Sequence, residues 1–321
     1  MAHNNKRKRR SMGTLILCAV VEIMVLLILF VIIGWNKGVG DWFKSFGKPV
    51  VKELDVSGTN STAVVLMRAE GGKVIGGENE NESIYPASMT KMMTAILAIE
   101  KIKNLNEEIT LTGGMMAGLG LQDASQAGFQ VGETVTAEDL IYGVLLPSGA
   151  ECCRALACTI SGTEASFVKL MNDKADSLGM KNTHFRDSTG LHDPDHYSTV
   201  YDMAVLLKYC LKNKTFRKII ETPYYDAGST NMHPDGIGFW STLFRSLNDP
   251  SVTGGRILGG KTGYTSDAGY CLASYAEIEG KEYILVTAAA PADGSDETPH
   301  IQDAVKIYNR LGAAAQQLKS R

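Results

Sequence analysis

A serine and a lysine three positions apart are the first residues in this chain whose types and spacing could do chemistry. Ser88 and Lys91 occur in the stretch PASMTKMMTA, at the predicted start of an apolar helix. Side chains at that spacing share one face of a helix. A serine hydroxyl becomes a strong nucleophile when a neighbouring base takes its proton, and a buried lysine with a lowered pKa can be that base. The pair therefore predicts covalent catalysis, with N–H groups at the helix start available for an oxyanion.

Two later stretches contain further candidate residues. Ser148 follows a predicted helix in LLPSGAECC, where a Pro-Ser-Gly turn exposes its hydroxyl. By itself this turn favours a simple connection between two helices. Lys261, Thr262 and Gly263 lie on a predicted strand in LGGKTGYTSDAGYCLASY. They offer a cation and a hydroxyl for a carboxylate, and a glycine that a substrate backbone can approach closely. The alternative is an exposed edge strand, where lysine is common.

Taken in order, the three stretches resemble the S-x-x-K, S-G-x and K-T-G motifs of the serine penicillin-recognising enzymes. The pattern is most similar to the D-alanyl-D-alanine carboxypeptidase family of low-molecular-mass penicillin-binding proteins. It covers about residues 62–290 and includes the segment GLHDPDHYST. The resemblance implies an α/β (α+β) fold with a five-stranded antiparallel sheet flanked by helices. It also implies removal of the terminal D-alanine from peptidoglycan stem peptides, inhibition by β-lactams, and no metal or cofactor.

The resemblance assigns catalytic roles to the first two motifs. Ser88 would form the acyl-enzyme, Lys91 would be its general base, and Ser148 would relay a proton to the leaving amine.

It also assigns substrate-binding roles to the third motif. Lys261 would help to set the pKa of the catalytic lysine and, with Thr262, would hold the terminal carboxylate. Gly263 and Tyr264 complete the predicted binding residues. The backbone N–H groups of Ser88 and Tyr264 would form the oxyanion hole.

The chain departs from the family pattern at two places. The second motif of the family usually ends in asparagine, and here that position is Ala150, followed by Glu151. A missing amide removes a donor and an acceptor that would contact the substrate and the lysine. Relatives also often have an arginine just after the last strand, and this chain has APADGSDETPH there. His300 or Arg256 could substitute for that arginine.

Strand patterns at both ends of the chain are expected to position the motifs. Residues 62–77 indicate a hairpin, and 256–260, 269–278 and 282–289 indicate three further strands. Helical patterns lie between them, at 136–147, 150–161, 163–178, 200–211, 215–221 and, after the last strand, 300–311. This arrangement predicts one domain over residues 61–321, with a single antiparallel sheet built from both ends of the sequence.

The N-terminal residues predict a membrane anchor. A basic cluster at residues 6–10 precedes an apolar run at 14–33 that is interrupted only by Glu22. Twenty helical residues can cross a hydrocarbon core of roughly 30 Å. We therefore expect a cytoplasmic segment over 1–13, an uncleaved single-pass helix over 14–35, a stalk over 36–60 and a catalytic domain outside the cell membrane. A cleaved signal peptide is the alternative, although its apolar region would be shorter and end in a small-residue site.

The charge balance and the cysteine spacing argue against nucleic-acid binding and against a zinc or disulfide framework. Residues 38–321 hold 26 Lys and Arg against 34 Asp and Glu, a net charge of about −8, and no basic patch suggests nucleic-acid binding. Six cysteines show no zinc-binding spacing, and their apolar contexts favour buried thiols over a disulfide framework.

Two other functions compete with the carboxypeptidase. A class A-like β-lactamase would need a glutamate in an E-x-x-L-N loop, whereas the corresponding region here is HFRDSTGLHDPD, with Asp187 as the carboxylate near that place. A non-enzymatic sensor of β-lactams or peptidoglycan would agree with Ala150. The intact Ser88, Lys91 and Lys261 argue against the sensor. His192 and His196 are expected to shape the wall of the site. Ser198, Thr199 and Asp202 are expected to form a helix cap and to have no catalytic role.

Overall fold

A computed structural model describes residues 51, 53–121, 124–247, 249–292 and 298–320. The predicted cytoplasmic segment, the predicted anchor and most of the predicted stalk lie outside these residues. Within the described part of the chain, no helix is long and apolar enough to cross a membrane.

Ten strands of the described chain form antiparallel pairs. In chain order they are β1 (Ala63–Arg68), β2 (Val74–Glu78), β3 (Glu108–Thr110), β4 (Thr134–Thr136), β5 (Tyr224–Asp226), β6 (Gly238–Trp240), β7 (Ser251–Val252), β8 (Gly255–Thr265), β9 (Gly269–Ile278) and β10 (Lys281–Ala290). The large sheet has the order β2-β1-β10-β9-β8-β7, while β3 pairs with β4 and β5 pairs with β6 in two small sheets.

Nine α-helices occur in the described residues. They are α1 (Lys91–Lys101), α2 (Gly113–Met116), α3 (Ala137–Leu145), α4 (Ala150–Ser161), α5 (Glu164–Leu178), α6 (Val200–Cys210), α7 (Lys214–Ile220), α8 (Thr242–Ser246) and α9 (Pro299–Lys319). Two short 3-10 helices, Ala87–Thr90 and Leu119–Leu121, complete the set.

The expectation of one sheet with five strands is wrong in two respects. The large sheet has six strands, because β7 pairs with the start of β8. A strand of two residues is too short to show any periodicity, so the sequence pattern could not reveal it. In the two small sheets, β4, β5 and β6 have three residues each and were missed for the same reason. Strand β8 continues to Thr265, five residues beyond the run of 256–260, and this confirms the placement of the K-T-G motif on a strand.

The large sheet is the middle layer of the domain. In β1, Val65 and Met67 face a core formed with the central helices, whereas Val64 and Leu66 face a second core formed with α9. Successive side chains of a strand point to opposite faces, so a strand covered on both faces is apolar throughout. This explains why β1 reads as a continuous apolar run. The expected α/β architecture, with strands from both ends of the chain, is confirmed.

The last part of the predicted stalk packs on this domain. Val51 and Val56 are buried in the core next to α9. The backbone N–H of Leu54 donates to the carbonyl of Ile75 on β2 at 2.6 Å. The described residues from 51 onwards are therefore part of the folded unit.

Two smaller expectations can also be compared with the structure. The hydroxyl of Thr199 accepts a hydrogen bond from the N–H of Asp202 at 3.0 Å, which is the helix cap expected at the start of α6. The five cysteines of the described residues are free thiols, and all except the half-buried Cys158 are buried.

Candidate active site

The turn that carries Ser88 places it beside Lys91. Ser88 lies in the 3-10 helix Ala87–Thr90, and Lys91 is the first residue of α1. In a 3-10 helix, side chains three residues apart eclipse each other. Lys91 Nζ consequently lies 2.8 Å from Ser88 Oγ, and it also donates to the carbonyl of Thr189 at 2.7 Å.

The environment of Lys91 favours its neutral form. The side chain is buried, and burial lowers its pKa against opposing electrostatic contributions from Cys153, Asp187 and Glu151. Its hydrogen-bond acceptors among the described residues are a hydroxyl and a carbonyl, so no carboxylate in this part of the chain pairs with it directly. A buried lysine with a lowered pKa, within reach of a serine hydroxyl, can accept the proton of that hydroxyl.

Lys261 lies deeper than the sequence suggested. It is fully buried on β8, and its Nζ donates to the carbonyl of Thr262 at 2.9 Å. Burial and the charge of Lys91 hold the pKa of Lys261 well below its usual value. The charged forms of the two lysines therefore disfavour each other.

Gly263 allows β8 to contact the Ser88 turn. A Cβ at this position would lie 3.0 Å from the backbone nitrogen of Ser88 and 3.1 Å from the Cβ of Ala87. The sequence suggested that the glycine lets a substrate backbone approach. In the structure it lets strand β8 approach the Ser88 turn. Next to it, the half-exposed Tyr264 lines the cleft. The Thr262 hydroxyl is 2.6 Å from the hydroxyl of Thr242.

A cleft of about 350 Å³ opens at Ser88. Its lining residues come from the Ser88 turn, the starts of α1 and α4, the end of β8 and three loops. They are Ser88, Lys91, Ala124, Ser125, Ala150, Thr189–His192 and Tyr264–Asp267. Ser88 and Lys91 therefore meet Tyr264, which directly follows the K-T-G motif, although they lie more than 170 positions from it in the sequence.

Ser148 lies behind the wall of this cleft, at the end of α3. Its backbone has a positive φ of 70°, which is uncommon for a residue other than glycine and occurs often at functional sites. The hydroxyl is buried and has no hydrogen-bond partner among the described residues. Two positions further on, Ala150 lines the cleft. The Ser148 hydroxyl is thus available for a hydrogen bond that the described residues do not supply.

Asp187 organises the loop that contacts Lys91. Its Oδ1 accepts hydrogen bonds from the N–H and the hydroxyl of Thr189 and from the N–H of Gly190, at 2.6–2.7 Å. Its Oδ2 lies 3.3 Å from Nδ1 of His196. Burial alone would raise the pKa of Asp187, but the hydrogen bonds from His196 and Thr189 outweigh this and lower it to about 2. These contacts direct the carbonyl of Thr189 towards Lys91.

This positioning role of Asp187 was not predicted from the sequence. The one signal available was the local D-S-T-G order, in which an aspartate side chain can accept hydrogen bonds from the residues that follow it. Because its oxygens already hold the loop, Asp187 does not match the water-activating glutamate of a class A-like β-lactamase.

His192 and His196 lie at different depths beside the cleft. His192 lines the cleft, and its Nδ1 is 3.8 Å from Asp267 on the opposite rim. His196 is buried behind the loop, where its Nε2 is 2.9 Å from the hydroxyl of Thr90. His196 therefore connects the Ser88 turn with Asp187.

Glu151 points away from the cleft. Its Oε1 accepts hydrogen bonds from the N–H groups of Ala127 and Gly128, at 2.6 and 2.8 Å, and burial raises its pKa. The preceding residue, Ala150, donates its N–H to the carbonyl of Ser125 at 2.8 Å. The start of α4 thus holds the loop that forms one wall of the cleft.

Neither substitute for the missing arginine is among the described residues that line the cleft. Arg256 is eight positions before Tyr264 on the same strand, a distance of roughly 27 Å in an extended chain. That separation excludes Arg256 as a ligand for the same substrate group. His300 is buried and stacks on Tyr270, whose ring in turn contacts Tyr264 at 4.5 Å between centroids. One aromatic ring therefore separates His300 from the cleft.

Comparison with known proteins agrees with this arrangement. The family model for D-alanyl-D-alanine carboxypeptidase matches residues 51–292. The D-alanyl-D-alanine carboxypeptidase DacF of Bacillus subtilis is 36% identical over 251 residues, which are 77% of this chain and 61% of that protein. The D-alanyl-D-alanine carboxypeptidase of Streptomyces sp. strain K15 is 34% identical over 66% of this chain and 75% of its own.

Solved structures show the same fold. The Streptomyces K15 DD-transpeptidase superposes with a TM-score of 0.71 at 28% identity, covering 79% of this chain and 98% of that one. A D-alanyl-D-alanine carboxypeptidase from Mycobacterium tuberculosis has a TM-score of 0.70 at 23% identity, which supports the fold alone. Because the family model covers about three quarters of the chain, the protein belongs to the D-alanyl-D-alanine carboxypeptidase family.

Proposed function

We propose that this protein is a serine D-Ala-D-Ala carboxypeptidase that removes the terminal D-alanine from peptidoglycan stem peptides. Ser88 is the nucleophile, Lys91 the general base and Ser148 the proton relay. Lys261 acts on the site through its charge, Thr262 and Tyr264 bind the substrate, and Gly263 keeps β8 against the nucleophile. β-Lactams react with the same serine, and the reaction uses no metal or cofactor.

The observation that carries the proposal is the contact between Lys91 and Ser88. Their 2.8 Å separation and the lowered pKa of the lysine meet the geometric and the acid–base requirement for activating a serine. Family membership supplies the substrate class.

The reaction follows from this geometry. Neutral Lys91 takes the hydroxyl proton while Ser88 Oγ attacks the carbonyl carbon between the two D-alanines. The N–H groups of Ser88 and Tyr264 stabilise the oxyanion. The intermediate collapses as the C–N bond breaks, and the proton passes through the hydroxyl of Ser148 to the amine of the leaving D-alanine. Water then attacks the acyl-enzyme and releases the shortened peptide.

Release of D-alanine tests the proposal. The protein is incubated with a pentapeptide ending in D-Ala-D-Ala, and free D-alanine is measured for the wild type and for Ser88→Ala. We expect release by the wild type alone. A wild type that accepts penicillin but releases no D-alanine would support a sensor instead.

Transpeptidation is a second candidate, because the solved structure that superposes over 98% of its length is called a DD-transpeptidase. The same acyl-enzyme would be attacked by an amine in place of water. Adding a D-amino acid to the assay distinguishes the two reactions. A carboxypeptidase gives mainly the shortened peptide, whereas a transpeptidase gives mainly the exchanged peptide.

We also propose that residues 14–35 anchor the protein in the cell membrane with the catalytic domain outside. The basic residues before the apolar run support this orientation. Protease added to cells without walls should then degrade the catalytic domain and leave the N-terminus protected. A mature protein that begins after residue 37 would contradict the anchor.

A further inference from the structure

Ala150 occupies the position where the family usually has an asparagine, and the amide of that asparagine would accept a hydrogen bond from the lysine and donate one to the substrate. Ala150 can do neither, because its side chain is a methyl group. The structure shows a replacement for the acceptor. Lys91 Nζ donates to the carbonyl of Thr189 at 2.7 Å, so the lysine is held without the amide.

The other role of the absent amide is to donate a hydrogen bond to the substrate. A replacement for this role requires a polar hydrogen on the same wall of the cleft. The described residues that line this wall are Ala124, Ser125 and Ala150, and of these Ser125 has the polar side chain. Its side chain is exposed to the cleft. On the opposite wall, the hydroxyl of Thr189 already donates to Asp187. Ser125 is thus the hydroxyl beside Ala150 that a substrate can reach.

The chain fixes the position of Ser125 through α4. The N–H of Ala150 donates to the carbonyl of Ser125 at 2.8 Å, and Glu151 accepts from the next N–H groups of the loop, at Ala127 and Gly128. A Cβ on Gly149 would lie 2.9 Å from the Cβ of Ala127, so the loop packs directly on this turn. A loop held at these points presents its serine in one place, which lowers the entropic cost of a hydrogen bond to substrate.

From this geometry we infer that Ser125 is a substrate-positioning residue that supplies the hydrogen-bond donor missing at Ala150. The inference rests on the proposed function. The Ser125 hydroxyl donates to the carbonyl oxygen of the substrate amide that precedes the reacting residue. Glu151 positions this serine by holding its loop, and the carbonyl of Thr189 takes the other role of the absent amide.

Two penicillins that differ in that amide provide the test. Benzylpenicillin has the side-chain amide, whereas the unacylated penicillin nucleus has a free amine in its place. Acylation rates are measured for the wild type, Ser125→Ala, and Gln126→Ala as a control on the same loop. Because one hydrogen bond is lost, we expect Ser125→Ala to lower the rate of acylation by benzylpenicillin about tenfold. The rate with the nucleus should stay the same, and Gln126→Ala should change neither rate.

Restoring the amide provides a second readout. Adding Ala150→Asn to Ser125→Ala should recover most of the lost rate with benzylpenicillin, because the asparagine supplies the donor again. Equal slowing with both penicillins would show that Ser125 only maintains the loop, and an unchanged rate with both would show that it does not contact the substrate. Either result overturns the inference while the wild type is still acylated. A wild type that neither compound acylates would overturn the proposed function as well.

Discussion

At the scale of single residues, Lys91 combines the properties that a base for Ser88 needs. Its position directly after a 3-10 turn brings Nζ to 2.8 Å from Ser88 Oγ. Burial disfavours its charged form, and the carbonyl of Thr189 holds it without supplying a negative charge. A lysine paired with a carboxylate would keep its proton, so it matters as much as the short distance that no carboxylate of the described residues contacts Lys91 directly.

Replacing Lys91 with arginine tests this role. Arginine cannot be deprotonated in proteins, so Lys91→Arg should lower the rate of acylation by penicillin by about 10²–10⁴-fold. Lys101→Arg, at the exposed end of the same helix, is the control and should react like the wild type. Circular dichroism establishes that both variants fold. Rapid acylation of a folded Lys91→Arg protein would contradict a role as general base.

The sequence was sufficient for residues whose partners lie in the same short motif. Ser88 and Lys91 are three positions apart, and their contact follows from local geometry. Asp187 and Glu151 act instead on backbone N–H groups of loops, and no residue pattern specifies which N–H group a carboxylate will meet. Their roles could be read only from the fold.

At the scale of elements, the loop that follows Asp187 depends on a glycine. Gly190 has a φ of +84°, and a Cβ there would lie 1.8 Å from the carbonyl oxygen of Ala87. Gly190→Ala should therefore push the loop away from the Ser88 turn. Gly162→Ala is a matched control, because Gly162 also has a positive φ but has nothing within 4 Å of the added Cβ.

The Gly162→Ala control should lose about 1–2 kcal/mol of unfolding free energy through backbone strain alone. Gly190→Ala should lose at least about 2 kcal/mol more and should also lose acylation. Urea denaturation and penicillin labelling measure the two effects. Equal stability of the two variants would mean that the loop can move away from the Ser88 turn at little cost.

The carboxylate of Asp187 should make the stability of the protein depend on pH in acid. Its pKa is about 2 in the folded chain, against an ordinary value of 3.8. A group with a lowered pKa in the folded state contributes stability above the ordinary value and loses it as the pH falls to the folded value. That difference corresponds to about 2 kcal/mol, present at pH 7 and lost between about pH 4 and pH 2.

Asp187→Asn should therefore lower the free energy of unfolding at pH 7 by about 2 kcal/mol and reduce its decline below pH 4. Denaturation across this pH range measures both. Asp193→Asn, an exposed position in the same loop, should change little. A decline below pH 4 that is identical in the Asp187→Asn variant and the wild type would show that other carboxylates carry the effect.

Element boundaries were predicted where a pattern was long enough to show a period. The helices between residues 136 and 221 were found near their predicted positions, and Thr199 was identified as a cap. The closing helix continues to Lys319 instead of ending near residue 311, because Gly312, which resembles a stop signal in the sequence, lies within the helix. This glycine lets the helix approach the carbonyl oxygen of Thr253, to which an added Cβ would come within 1.7 Å. Strand β7 has two residues, and its formation depends on the neighbouring β8 and not on its own sequence.

At the scale of the whole molecule, the large sheet joins the two ends of the described chain. Strand β1 pairs with β10, and the segment before β1 packs against α9 near the C-terminus. Asp303 of α9 accepts hydrogen bonds from the N–H groups of Asn60 and Ser61. The sequence predicted the joining of the strands but placed the start of the domain at residue 61, since residues 51–60 show no strand or helix pattern.

This difference in the domain start can be tested by truncation. A chain that begins at residue 62 loses the buried Val51 and Val56, each worth about 1.5–3 kcal/mol, and leaves the buried carboxylate of Asp303 without these donors. We expect it to be less stable in urea, by at least about 3 kcal/mol, than a chain that begins at residue 51. Equal stability would mean that the segment is dispensable.

The account depends most on the identity of the nucleophile, and mass spectrometry of a penicillin-treated sample tests it most directly. The intact protein should gain the mass of one penicillin, and peptide mapping should place the adduct on Ser88. The Ser88→Ala variant should gain no mass under the same conditions. An adduct that persists in Ser88→Ala, or one that maps to Ser148 or to another residue, would contradict the account.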